Sequence, residues 1–289
     1  MKRLIVNADD VGADEARNEG IFDAINAGVV TSISVLPNAP ALEDAVHRIR
    51  LLDSGQVSIG IHLNLSEGKP LSSGLKYLVG SDGNFLGKAV AHRLLADSRN
   101  EELNEEIQKE VDAQILFLQS FGFPIDHLDG HQHIHIFSAV VAIAAEAANR
   151  SRIRWIRIPE ELPDSIHPFA SSSAIMSEAH FFSSLAESAR PVFSRMGNSI
   201  PDHFRGLYLK GRLPSNAWRE FLDAMPDGLT EFMVHPGRVA ADPDTSSPFS
   251  GFSTIEREME LLALTDGCFQ ATLTAAGVML VRFPETGLI

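Results

Sequence analysis

Leu4-Ile5-Val6-Asn7-Ala8-Asp9-Asp10 is a mainly apolar run that stops on two adjacent carboxylates. It reads as a buried strand with an acidic pair at its C-terminal end. Burying one unpaired charge is costly, and two side by side cost more unless a cation or a proton offsets them. Outward from this strand, strand and helix signals alternate to the end of the chain. Residues 14–27 carry apolar positions near helical spacing before Gly28, 31–36 predict a strand closed by Pro37-Asn38, 41–52 a helix, and 57–65 a third strand. Asn100 caps an amphipathic helix with Leu103, Ile107, Val111, Ile115 and Leu118 in one stripe and Gly122 as its stop. Further strands are predicted at 125–129, 153–158, 204–209, 231–234 and 278–283, and further helices at 138–149, 174–195 and 254–264. Such alternation implies a parallel sheet covered by helices, either a barrel or a doubly wound sheet. The chemically loaded groups fall at the carboxyl ends of at least four strands spread along the chain, which favours a β/α barrel.

The chain has 289 residues, 44% of them apolar, and a net charge of −14. That charge repels nucleic acid and anionic membranes, and no Lys/Arg run offers a local basic patch. Cys268 is the sole cysteine, so neither an intrachain disulfide nor a cysteine-based zinc knuckle can form. No stretch approaches the ~18 apolar residues of a membrane span, and the run after Lys2-Arg3 is too short for a signal peptide. A cytoplasmic location without membrane or nucleic-acid partners is expected. Residues 1–289 are read as one catalytic barrel domain with loop insertions near 66–87 and 159–201, the first of them a lid over the site.

Asp9 and Asp10 project to opposite sides if their strand stays extended, so that one can ligate a metal while the other accepts a proton. His62 interrupts an otherwise apolar strand, and His131, His133 and His135 share one face if their segment is extended. An Asp with two His leaves a divalent ion with open positions. This donor set suits Zn²⁺, Co²⁺, Ni²⁺ or Fe²⁺ better than Mg²⁺, which prefers oxygen. Such an ion lowers the pKa of water from near 16 towards ~7 and polarises a carbonyl. Asp129 is a candidate to orient a ligating imidazole. His235, fixed by Pro236-Gly237 at the end of a late strand, is the best candidate for the acid that protonates a leaving group. Trp155, Trp218 and Tyr208 could stack on a sugar, although core packing is the better reading of each.

The ordered segments Asn7-Ala8-Asp9-Asp10, Gly60-Ile61-His62-Leu63-Asn64, His127-Leu128-Asp129-Gly130-His131-Gln132-His133-Ile134-His135, Asp202-His203-Phe204-Arg205-Gly206-Leu207, His235-Pro236-Gly237 and Arg257-Glu258 span nearly the whole chain. As a set they resemble the YdjC-like carbohydrate deacetylases, which include chito-oligosaccharide deacetylases. The resemblance implies an α/β fold of the deacetylase type, a distorted TIM-like β/α barrel of mostly parallel strands. It implies removal of the N-acetyl group from an acetamido sugar or short chito-oligosaccharide with one divalent metal ion, recorded as magnesium. By position it makes Asp10, His62 and His131 the metal ligands, Asp9 the general base and His235 the acid. Val11 departs from the family's Asp-Asp-Phe-Gly run without removing a ligand. Two rivals stand beside this reading: a metal-dependent hydrolase of another amide or ester, and a non-catalytic sugar- or metal-binding barrel. A homodimer is compatible with the fold and is not specified by the sequence.

Overall fold

The computed structural model describes residues 1–161, 173–209, 218–241, 247–249 and 251–283. Among the described residues eight strands form one sheet: β1 (Lys2–Val11), β2 (Ser32–Val35), β3 (Ser58–Leu63), β4 (His127–Gly130), β5 (Trp155–Ile156), β6 (His203–Arg205), β7 (Gly228–Val234) and β8 (Val278–Leu280). Their order is β5-β4-β3-β2-β1-β7-β6, with every pairing parallel. β8 pairs with Lys2–Leu4 of β1, on the stretch that precedes the pairing of Asn7–Val11 with β2. The sheet curls towards closure through one stretch of chain. The Ser199 amide donates to the Arg154 carbonyl at 2.9 Å and the Ile156 amide to the Ser199 carbonyl at 2.9 Å, while His203–Arg205 lies along β7. The result is the distorted β/α barrel anticipated from the alternation of elements.

Most expected elements appear within a few residues of their predicted bounds: α1 (Glu15–Asn26), α2 (Leu42–Arg50), α4 (Glu101–Gln119), α5 (Val141–Arg150), α6 (Ser173–Arg195) and α8 (Ile255–Thr265). Asp14 caps α1 by accepting from the Arg17 amide at 2.7 Å, and Asn100 caps α4 from the Leu103 amide at 3.1 Å. α3 (Lys88–Leu95), α7 (Trp218–Asp223) and α9 (Gly267–Ala275) were not anticipated. The strand expected over 204–209 is shorter, because the chain turns at Gly206, whose φ of 128° packs its backbone against Met233.

Period-2 alternation along β1 sorts its residues between two environments. Leu4, Val6 and Ala8 belong to the large apolar core shared with the helices, whereas Ile5 packs in a separate cluster with Leu229 and Phe283. Phe283 stacks on the His127 ring with centroids 4.2 Å apart. Polar side chains then take over the interior: Ser34 Oγ lies 3.1 Å from His127 Nε2, donates to Asp129 at 2.6 Å and accepts from Asn7 at 2.8 Å. The His127 ring needs a glycine opposite, since a Cβ on Gly60 would sit 2.2 Å from it. The barrel interior thus runs from an apolar base to a polar end at the carboxyl edge of the strands, where the site lies.

Candidate active site

Asp9 and Asp10 do not diverge as an extended strand would require. The β1–β2 register shifts between Ala8 and Val11, and Asp10 adopts φ 65°, a left-handed conformation that Asp tolerates better than most residues. This bulge brings both carboxylates to one cavity of about 110 Å³, together with His62, His131 and His235. Lys88, Gln132, His133, Glu178, Phe182 and Met233 complete its wall.

The histidine cluster also departs from the extended reading. Residues His131–Ile136 form a 3-10 segment in which Gln132 (φ 52°) and His133 (φ 57°) are left-handed, so the three rings separate. His131 meets Asp10, His133 packs edge-on against Phe182 with centroids 4.7 Å apart, and His135 Nε2 donates to the Arg157 carbonyl at 2.9 Å.

Asp10, His62 and His131 are buried, and one donor atom from each lies within 4.8 Å of the others. His62 Nδ1 is 2.7 Å from Asp129 Oδ1, as expected for an orienting carboxylate, which turns Nε2 to within 3.4 Å of Asp10 Oδ1. His131 Nδ1 is 3.0 Å from the same Asp10 oxygen. Burial opposes charge on His62, yet Asp129, Asp9 and its hydrogen bonds push its pKa up to about 10. Burial likewise opposes charge on His131, but hydrogen bonds to Asp10 and Glu67 raise it. The imidazoles thus take up protons to offset the buried carboxylates. A divalent cation fits here, because it would replace those protons on binding.

The two aspartates are pushed apart electrostatically. Burial raises the pKa of Asp9 despite Arg157 and His62. For Asp10 the burial effect is overwhelmed by hydrogen bonds from His131 and His62, and its carboxyl is held well below the usual range. Asp10 is therefore the permanent anion and Asp9 the better proton acceptor.

Arg157, which the sequence reading did not single out, sits fully buried behind Asp9. Its Nη1 donates to Asp9 Oδ2 at 2.6 Å, its Nη2 to Asp9 Oδ1 at 2.7 Å, and its Nε to Glu231 at 2.7 Å; Nη2 also pairs with Asp129 at 2.9 Å. Asn7 donates to Asp9 Oδ1 at 2.8 Å. Asp9 is thereby held with Oδ2 between His62 Nε2 at 4.0 Å and His235 Nε2 at 3.9 Å. Only the position of Arg157 at the end of an apolar strand could have marked it in the sequence.

His235 is the most exposed of the five predicted site residues, at 18% of its side chain. Its backbone is gripped from both sides: its amide donates to Glu260 at 2.9 Å, and its carbonyl accepts from Arg17 at 3.1 Å. Helix α1 packs directly on the loop that follows, since a Cβ on Gly20 would meet Gly237 at 2.4 Å. Arg17, Glu260 and Glu67, which lies beside His131, were also missed, their partners being distant in sequence. Tyr208 is buried and Trp155 packs beside Phe283, so neither faces the cavity; the Trp218 side chain lies outside the described residues.

A β/α barrel that gathers carboxylates and imidazoles at the carboxyl ends of its strands places them where the active sites of barrel enzymes form. The chain belongs to the YdjC-like protein family, whose model matches residues 3–275. It is 33% identical to the human carbohydrate deacetylase, over 98% of this chain and 90% of that protein. It is 30% identical to the carbohydrate deacetylase of Geobacillus stearothermophilus, over 97% of this chain and 96% of that protein. The fold also matches a crystal structure from Enterococcus faecalis V583, of a protein provisionally named for cellobiose-phosphate cleavage. That match has a TM-score of 0.76 at 23% identity, covering 98% of this chain and 97% of the other.

Proposed function

We propose that the protein is a metal-dependent carbohydrate deacetylase that hydrolyses the N-acetyl group of an acetamido sugar or short chito-oligosaccharide to acetate and the free amine. The relatives' names support the substrate class. One observation carries the mechanism: a buried Asp10–His62–His131 cluster stands directly beside an aspartate that an arginine holds in place. We read 1–289 as one catalytic unit, since strands from both ends of the chain share its sheet. The single cysteine fits a cytoplasmic setting.

A divalent ion held by Asp10, His62 and His131 would supply Lewis-acid polarisation of the acetyl carbonyl and acidification of the attacking water. Asp9 Oδ2 takes the proton from that water, and Arg157 and Asn7 keep it aimed at the cavity. Burial raises the pKa of Asp9, which favours its uptake of a proton. His235, which lines the same cavity, delivers a proton to the departing amine. One water is consumed, its oxygen ending in acetate and the amine leaving protonated. The nitrogen donors favour Zn²⁺, Co²⁺ or Ni²⁺ over Mg²⁺, whereas the family resemblance implies magnesium.

The test is acetate release from a panel of N-acetylated mono- and oligosaccharides, using metal-stripped protein re-supplied with each of these ions. Metal-dependent release is the expected result. Turnover confined to non-sugar acetamides or esters would replace the substrate class, and no release with any ion would remove the hydrolase reading.

A further inference from the structure

We infer that Glu67 is a positioning residue that decides which nitrogen His131 presents to the divalent ion, making Nδ1 the donor atom. The inference rests on the metal-dependent reading above and adds a residue to it.

The two ligand imidazoles are held in opposite senses. His62 gives Nδ1 to Asp129 at 2.7 Å and keeps Nε2 towards Asp10. His131 places Nε2 3.0 Å from Glu67 Oε2 and Nδ1 3.0 Å from Asp10 Oδ1. An ionised carboxylate can only accept, so each ring nitrogen turns a hydrogen towards its carboxylate; a cation held beside Asp10 would replace the one on Nδ1, while Glu67 keeps the one on Nε2. The second Glu67 oxygen accepts from Gln132 Nε2 at 2.8 Å. The left-handed backbone at Gln132 thus lets two successive side chains reach one carboxylate.

Glu67 lies in the loop after β3, the segment expected to act as a lid. Hydrogen bonds tie that loop to its surroundings along its length. Asn64 Oδ1 accepts from the Glu67 amide at 3.1 Å, and the Glu67 carbonyl accepts from Asn64 at 2.8 Å and Asn38 at 3.1 Å. Three residues at four-residue spacing on α4 hold the remainder. Gln114 bonds the Asn64 amide at 3.0 Å and its carbonyl at 2.6 Å. Glu110 accepts from the Leu71 and Ser72 amides at 2.9 and 2.7 Å. Glu106 accepts from Lys76, Tyr77 and Leu78 at 2.6, 2.9 and 3.2 Å. A rigid arm delivering one carboxylate to one ring is the arrangement an orienting partner needs, and losing such a partner typically lowers metal affinity ~10–100-fold.

The test titrates metal-stripped wild type, Glu67→Ala and Glu67→Gln with Zn²⁺ by calorimetry, and records imidazole ¹⁵N spectra of the Zn²⁺-loaded wild type. The expected result is affinity weakened ~10–100-fold in Glu67→Ala, largely restored in Glu67→Gln, which keeps an acceptor oxygen. The His131 ring should carry its hydrogen on Nε2 with Nδ1 shifted by the metal. Unchanged affinity in Glu67→Ala, or Nε2 as the shifted nitrogen, would overturn the role of Glu67 and leave the metal-dependent reading standing. A wild type that binds neither Zn²⁺ nor Co²⁺, Ni²⁺ or Mg²⁺ would overturn both.

Discussion

Asp9 and Asp10 are neighbours in sequence with opposite electrostatic fates, set by burial at Asp9 and by hydrogen bonds from His131 and His62 at Asp10, and Arg157 is the residue that fixes Asp9 in place. Its guanidinium answers Asp9, Asp129 and Glu231 together. Lysine offers a point charge that cannot serve three carboxylates in a plane. Arg157→Lys should therefore lower kcat at least about tenfold through misplacement of the base, while Arg157→Met should destabilise the fold by about 3–5 kcal/mol by leaving buried carboxylates uncompensated. Urea unfolding and steady-state kinetics check both; wild-type kcat in Arg157→Lys would deny Asp9 its need for a fixed orientation. The acidic pair, His62 and the histidine cluster were legible because carboxylates and imidazoles at strand ends are conspicuous. Arg157, Arg17 and Glu260 were not, because a buried charge is recognisable only beside its partners.

At the scale of elements, the apolar stripe of α4 was legible from its period, but the partners of its polar residues were not. Glu106, Glu110 and Gln114 in fact bind a loop that lies 28–50 residues earlier, and no local pattern announces such pairing. Glu106→Ala should speed hydrogen exchange at the Lys76, Tyr77 and Leu78 amides about tenfold or more and cost about 1–3 kcal/mol of stability. Unaltered exchange there would show that the loop holds its place without α4. The bulge at Asp10 and the left-handed turn at Gln132 and His133 were likewise hidden, since positive φ at non-glycine residues leaves no compositional mark. An extended reading therefore placed the two aspartates on opposite faces and the three histidines on one.

Across the whole molecule, the barrel interior changes from apolar to polar along its axis, and His127 stands at the transition. Burial, only partly offset by Asp129, depresses its pKa to about 3. The folded protein keeps this ring neutral, while the unfolded chain protonates it below about pH 6.5. The unfolded state then binds more protons, so the contribution of His127 to stability is complete above about pH 6.5 and declines as pH falls towards about 3. The destabilisation caused by His127→Gln should accordingly shrink by about 1.4 kcal/mol between about pH 7.5 and 5.5. Comparing the two proteins at each pH cancels groups of opposite sign, such as Glu231, which burial raises to about 7. A constant difference would mean that the ring titrates in the fold. Fold class was the most legible feature, because alternating strands and helices leave a parallel sheet few alternatives. Near-closure through Ser199 was not, since a single pair of backbone bonds carries no sequence signal.

We propose a division of labour between the two aspartates, with Asp10 holding the metal and Asp9 moving the proton. Metal stoichiometry and acetate release, measured on the same preparations of wild type, Asp9→Asn and Asp10→Asn, test it most directly. Asp9→Asn should bind one divalent ion with near wild-type affinity yet lose ~10²–10⁴-fold in kcat, whereas Asp10→Asn should lose the ion and the activity together. Loss of the ion in Asp9→Asn with retention in Asp10→Asn, or undiminished turnover in Asp9→Asn, would contradict the account.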